Sequence, residues 1–453
     1  MNCFVMKLPA HKLFIISKCT IAFLLCTAFA SCNQPVKQED AQAPVQPPIK
    51  KDSLKIDSTK KSSVLEIAIP DKEFVREYND NARFIAGLPG NEGSDFIKLE
   101  KNQDWKSYAS WFANTWRRVE EGQMQKVKLW MEEQQPFSIK AIQHKNDSVP
   151  YLKTLFYPFS GADFLYANAF FPEMEQYVMI GLESVGKVPD IRKIPTDFWE
   201  NYFLALRTAQ DDILTASFFK TKDMKVDFKI QELKGTLPIL MIFLARTGHT
   251  IITMEPVQLN DEGKIVDSNS NPNKTLQFGQ TSGVRITFEK NSVNNTASNS
   301  ATDKDKQGKQ KILYYFSLDL SNNGLAKKTY FENFVSDLHQ PTTFIKSASY
   351  LMHEQSFSTI RSFILKHSSI LVQDDSGIPL RYFVSENKMQ EKNVEWQEPI
   401  FYGAYKAPIP MFSKFFQQDL KARFAESDKV KPLPFRIGYQ NQSFKSNLMV
   451  AKK

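Results

Sequence analysis

The chain has no cysteine after position 32. Cys3, Cys19, Cys26 and Cys32 are all it has among its 453 residues. A disulfide framework for the body is thereby excluded, and so is a cysteine nucleophile or a cysteine-based metal centre in it. Histidine is also scarce. After the first 32 residues there are His144, His249, His339, His353 and His367, and no two stand at the H-x-x-x-H spacing of helical zinc sites. No G-x-S-x-G elbow occurs. These gaps remove the commonest catalytic and metal signatures, so no metal and no cofactor is expected. Basic excess is mild. The three lysines of the first 31 residues take the formal net charge from +8 to +5 when that segment is removed. That balance speaks against nucleic acid as a partner.

What the chain does have is a marked N-terminus. Lys7, Lys12 and Lys18 precede an apolar run, Ile21 to Ala30, with no acidic residue among the first 31. A basic region, a short apolar region and a small residue before the cut make a secretory signal, too short to span a bilayer. Phe29-Ala30-Ser31-Cys32 resembles the lipobox of bacterial lipoproteins, with Phe29 where the motif usually has Leu, Val or Ile. The resemblance implies that Cys32 receives a lipid and that the protein meets the membrane through that lipid, with outer membrane placement on the periplasmic or surface face.

Composition then divides the chain. Residues 1–31 read as the signal and 32–63 as the lipidated terminus and a disordered tether. Between Asn33 and Ser63 there are four prolines and no aromatic residue, too little apolar surface to fold. Residues 64–290 read as a helical lead-in and an α/β half. Asn291 to Gln310 is polar and low in complexity, a flexible loop. Residues 311–453 form a second α/β or α+β half. Phe occurs 36 times and apolar residues make up 42%, enough for a large core without disulfides. The fold class expected is mixed α/β with a partly parallel sheet in two halves.

Helices are expected over Asp71 to Ala86, Trp105 to Glu133 (interrupted at Gly122), Thr196 to Phe219 and the apolar stretch ending at Gly248. Strands are expected over Tyr151 to Tyr157, Gln176 to Glu183, His249 to Leu259, Val284 to Glu289 and Lys311 to Leu320. The order strand, helix, strand around Phe164 predicts a parallel pair. In the second half, helices are expected over Tyr330 to Leu338, Thr342 to Met352, Ser358 to Lys366 and Phe412 to Phe424. Strands are expected over Ser369 to Val372, Pro379 to Phe383, Pro399 to Tyr405 and in "LPFRIGYQ". Lys311 to Leu320 enters a helix much as Tyr151 to Tyr157 does, which hints at a pseudo-repeat.

Two stretches carry candidate chemistry. "FYPFSGADFLYANAFFP", Phe156 to Pro172, has Ser160 and Asp163 at capping-box spacing before an apolar run. A carboxylate in the first helical turn opposes an anion there, and one glycine does not make a phosphate cradle. Asp163 therefore starts a helix, and a cleft at the strand ends is its remaining functional option. "LVQDDSGIPLRYF", Leu371 to Phe383, pairs Asp374 with Asp375. The pair reads as hairpin-turn chemistry and, if the turn lies on a cleft rim, as acid and base or metal ligands. The aromatic patch Trp396 to Phe412 reads as a buried strand, with a glycan platform as the alternative. If two of Asp163, Glu183, Asp374 and Asp375 converge with Arg381 or a histidine in a deep pocket, the binding-only reading loses ground; if they lie far apart or point to open solvent, the enzyme reading fails.

"YPFSGADFLYANAFFP" and "QDDSGIPLRYF" together resemble segments of uncharacterised bacterial envelope lipoproteins, over roughly Tyr151 to Tyr439. That resemblance implies no catalytic role. The functional expectation is a membrane-anchored, non-catalytic protein that binds an envelope protein or glycan. The alternative is an envelope hydrolase or transferase using Asp163, Asp374 and Asp375.

Overall fold

The computed structural model describes residues 72–134, 153–218, 233–267, 276–278, 280–291, 309–383, 396–441 and 445–453. The signal, Cys32, the tether and most of the Asn291 to Gln310 loop lie outside them. Eleven strands build one sheet: β1 (Thr154–Tyr157), β2 (Gln176–Gly181), β3 (His249–Leu259), β4 (Ile265–Asp267), β5 (Gly283–Lys290), β6 (Lys311–Ser317), β7 (Thr342–Ile345), β8 (Ile370–Gln373), β9 (Ile400–Gly403), β10 (Val430–Lys431) and β11 (Asn447–Lys452). Their order is β10-β9-β11-β8-β7-β1-β2-β6-β5-β3-β4. The central five, β8-β7-β1-β2-β6, are all parallel. Antiparallel strands extend the sheet on both sides, and the outermost, β10, pairs parallel with β9.

The central strands are nearly continuous apolar runs because both of their faces are covered. Side chains alternate between two cores. Leu155, Tyr157, Tyr177, Met179, Phe344 and Val372 enter one. Phe156, Val178, Ile180, Ile345 and Leu371 enter the other. The first core is roofed by α1 (Arg76–Ile85), α2 (Gln103–Val119), α3 (Gln125–Gln134), α4 (Phe164–Phe170), α5 (Trp199–Ala216) and α6 (Leu237–Arg246). The second is roofed by α7 (Asn322–Ala326), α8 (Phe331–Ser336), α9 (Ser358–His367) and α10 (Gln418–Ala425). The two halves of the sequence are thus the two helical faces of one sheet. Their strands interleave, with β1 and β2 flanked by β7 and β6.

Gly122 sits in a π-helical turn, Glu120–Met124, that joins α2 to α3. The aromatic stripe Trp105, Tyr108, Phe112 and Trp116 is buried, as helical spacing predicts. Both strand ends compared in the sequence lead into capped helices. Asp163 accepts from Tyr166 N and Ser321 from Gly324 N, but α4 and α7 lie on opposite faces.

Five expectations are corrected. Thr342 to Met352 is not a helix. Thr342–Ile345 is a central strand, where β-branched and aromatic side chains fit a sheet buried on both faces. Pro379 to Phe383 is not a strand; Leu380–Tyr382 is one 3-10 turn. The Asp374–Gly377 turn is therefore no hairpin, and the antiparallel partner of β8 is β11. "LPFRIGYQ" forms no strand, and the last strand is β11. Phe412 to Phe424 is broken at Phe416 and Gln417, between a 3-10 segment Pro410–Phe415 and α10.

Candidate functional site

The topology marks one position. The chain leaves β1 through α4 to β2, and leaves β7 through α9 to β8. β2 and β8 lie on opposite sides of the β1–β7 pair, and α4 and α9 on opposite faces. Right-handed crossovers that diverge in this way must use opposite faces. The C-terminal ends of β1 and β7 are thus a topological switch point, where open α/β sheets bind their ligands.

Asp163 follows β1, Lys346 follows β7, and Asp374 and Asp375 follow β8. All four are at most 4% exposed. Lys346 Nζ lies 2.8 Å from Asp163 Oδ2. It also donates to the Ser217 carbonyl and sits 4.0 Å from the centre of the Tyr166 ring. Asp163 is the helix cap. Its Oδ1 accepts from Tyr166 N at 3.1 Å, and its Oδ2 from the Tyr157 hydroxyl at 2.9 Å. The expected division of labour with Ser160 is corrected here. Ser160 donates to the carbonyls of Gly161 and Ile180, because the turn closes onto β2 before the helix begins.

Asp374 accepts from Ser347 N at 2.8 Å, from Ser376 N at 3.0 Å and from the Ser376 hydroxyl. Asp375 accepts from the Tyr350 hydroxyl and, at 3.0 Å, from Asn447 Nδ2. Burial raises the Asp163 carboxyl, against the pull of Lys346. Burial likewise raises Asp374, opposed by the serine donors and Lys346. Asp375, desolvated and beside the Asp374 charge, is pushed up to about 7. Burial and the neighbouring carboxylates raise the Tyr350 phenol. Burial, with Arg381 adding, lowers His353 to about 4.

The backbone around this edge is strained. Phe159, Ser217, Ser347, Ser349 and Tyr350 all have φ between 51° and 70°, a region costly for residues with a Cβ. Such strain gathers at ligand clamps and switch regions. Gly438, at φ +68°, passes so near that a Cβ there would stand 2.3 Å from Asp374 Oδ2. We expect Gly438→Ala to destabilise the fold by about 2–4 kcal/mol through clash and left-handed strain. A thermal midpoint equal to wild type would exclude that contact.

The structure pairs Asp163 with Lys346, sets Asp374 within the field of the same lysine and places Asp375 next to Asp374. Glu183 is half-buried, and its backbone carbonyl accepts from the Tyr315 hydroxyl. Arg381 is exposed and lies over the Tyr382 ring. A cavity of about 10 Å³ touches Asp374, Asp375, Gln373, Gln417 and Asn447, the room one water needs. Among the described residues no three His, Cys, Asp or Glu side chains form a metal-binding group. Likewise, no described helix is long and apolar enough to cross a membrane. The patch Trp396 to Phe412 supplies a buried strand, with Phe401 and Tyr402 at 4% and 0% exposure. Lys346, Tyr350 and Asn447 escaped the sequence reading. Lys346 lay in a segment read as helical, and "TTFI" as a strand would have set it on the edge beside Asp163.

Comparison of the chain with known protein families, curated proteins and solved structures finds no match in any of the three.

Proposed function

We propose that this protein is a lipid-anchored component of the bacterial envelope that binds a ligand at its switch-point edge without turning it over. The lipobox at Cys32 supports the anchor. One observation carries the rest. At the place where α/β sheets bind ligands, each buried carboxylate is already held by fixed protein donors, within a backbone strained at five residues. Strain there supports a binding role. Saturated carboxylates beside a water-sized cavity speak against acid and base work. The second reading, an envelope hydrolase or transferase, draws on the Asp375 carboxyl held near 7. Against it stand Tyr350 and Asn447, which occupy both oxygens of Asp375.

The test is a thermal-shift screen of envelope glycans, peptides and lipids on the mature chain, followed by hydrogen exchange. Binding is expected to protect residues 346–350 and 437–441. Chemical conversion of any bound compound, seen by mass spectrometry, would overturn the non-catalytic reading. The anchor has its own test. Cys32→Ser is expected to leave the secreted protein unlipidated and in the soluble fraction. Full membrane retention of that variant would sink the anchor.

A further inference from the structure

The switch-point edge is covered by a strap, Ala407 to Gln417. Its two ends are fastened by polar contacts. At one end the Ala407 carbonyl accepts from Gln440 Nε2 at 2.7 Å. At the other, Gln417 N donates to the Tyr405 hydroxyl, Gln417 Oε1 accepts from Leu380 N, and Gln417 Nε2 donates to the Asp375 carbonyl. Between these ends the backbone hydrogen bonds of the described residues stay inside the strap, from Phe412 N to Ile409 O and from Phe416 N to Ser413 O. Its helical geometry breaks at Phe412, and Met411 is 80% exposed. One exposed ion pair, Lys414 to Glu354, crosses to the body. Few buried contacts and an exposed backbone make such a segment open at low cost.

Rings lie beneath it. Phe412 and Phe415 pack on Tyr350 at 4.9 and 5.3 Å between centroids, and Phe412 packs on Tyr439 at 5.1 Å. The ring planes of Tyr350 and Tyr439 are nearly parallel, 12° apart, with centroids 6.1 Å apart. Hydroxyls sit at their edge. Ser349 is exposed with its Oγ 3.2 Å from the Tyr439 hydroxyl. Ser347 Oγ is buried and has no hydrogen-bond partner among the described residues, a cost that a ligand would relieve. The cations here are committed, Lys346 to Asp163 and Lys414 to Glu354, and the carboxylates of Asp374 and Asp375 are held by protein donors. Flat apolar faces beside hydroxyls, with the ionic groups committed, match a neutral ring that carries hydroxyls on its edge.

We propose that the strap is a lid hinged at Ala407 and Gln417, and that a neutral saccharide binds beneath it, stacked on Tyr350 and Tyr439 and bonded to Ser347. This deepens the binding reading above and rests on it.

The test uses the mature chain with Cys32→Ser, which has no other cysteine, carrying Lys414→Cys and Glu354→Cys at exposed positions. A short, reducible bismaleimide then locks the strap to the body. The probe is an array of neutral hexose and N-acetylhexosamine oligosaccharides. The unlocked protein is expected to bind a member of the array. Locking should abolish that binding and reduction should restore it. Tyr439→Ala is expected to weaken it roughly tenfold, the scale of one ring contact. Binding that locking leaves unchanged overturns the lid. An array without a hit overturns the saccharide, and a charged or peptidic hit in the thermal-shift screen would then leave only the binding reading standing.

Discussion

Lys346→Met is expected to cost the protein about 3–5 kcal/mol of stability, the scale for removing one partner of a buried ion pair. Asp163 would keep its carboxylate at 1% exposure with no countercharge in contact. Tyr157 and Tyr166 N would still donate to it, but two neutral donors do not replace an ammonium. The loss should be greatest at alkaline pH and shrink as pH falls, because the carboxyl can then take up a proton. Adding Asp163→Asn should recover much of the loss. Asparagine also caps helices well, and its oxygen keeps the bond from Tyr166 N. Urea unfolding of the two single variants and the double variant gives the coupling energy. A single-variant loss under about 1 kcal/mol would mean that the pair does not stand in a desolvated site.

The stability that Asp375 contributes should fall as pH rises from about 4 to 7, while His353 and His249, lowered by burial to about 4 and about 3, act in the opposite sense below about 6.5. The Asp375 carboxyl is raised from 3.8 to about 7 in the folded chain, so within that window the folded state holds a proton that the unfolded chain releases. The contribution is full below the lower value, is lost as pH climbs through the upper one, and amounts to about 4 kcal/mol at roughly 1.4 kcal/mol per pH unit. The groups that face it are Asp374 from its own loop, Tyr350 from the β7 loop, Asn447 from β11 and Gln417 from the strap. Asp374 is raised too and acts in the same sense. Asp190 and Glu332, held below their ordinary values by Arg192 and Lys366, act in the opposite sense in more acid solution. Asp375→Asn mimics the protonated carboxyl and should gain stability at pH 8 while losing the Asp375 share of the pH dependence. Urea midpoints at pH 5.5 and pH 8 decide this. A variant as pH-dependent as wild type would place the titration elsewhere.

Much of the scaffold was legible because its signals are local. The order strand, turn, apolar helix, strand around Phe164 gave the parallel pair β1–β2. The buried helix α6 and strands β3, β5 and β6 followed from apolar runs of the right length. The site was legible only as separate carboxylates. Asp163, Asp374 and Asp375 stood out, but the ion-pair partner of Asp163 is Lys346, just after a four-residue strand whose neighbours come from β1 and β8. A strand that short has no period of its own to read, and its partners are fixed by pairing across the sheet. The Asp-Asp-Ser-Gly turn misled for a related reason. Turn chemistry is the same whether the next segment doubles back or departs.

Interleaving of the two halves also bears on how the protein reaches its native state. Leu155 of β1 pairs with Thr342 of β7, and Ile370 of β8 with Lys452 of β11. The central parallel strands thus draw on segments far apart along the chain, and closing such loops before any contact forms makes folding slow. A chain emerging from its N-terminus presents β1 and β2 well before the strands that flank them. Until β6 and β7 follow, both long edges of that apolar pair stay open to misassociation. Chaperones and proteases therefore meet this protein as a late folder, and its yield in the cell should depend on them more than its final stability implies.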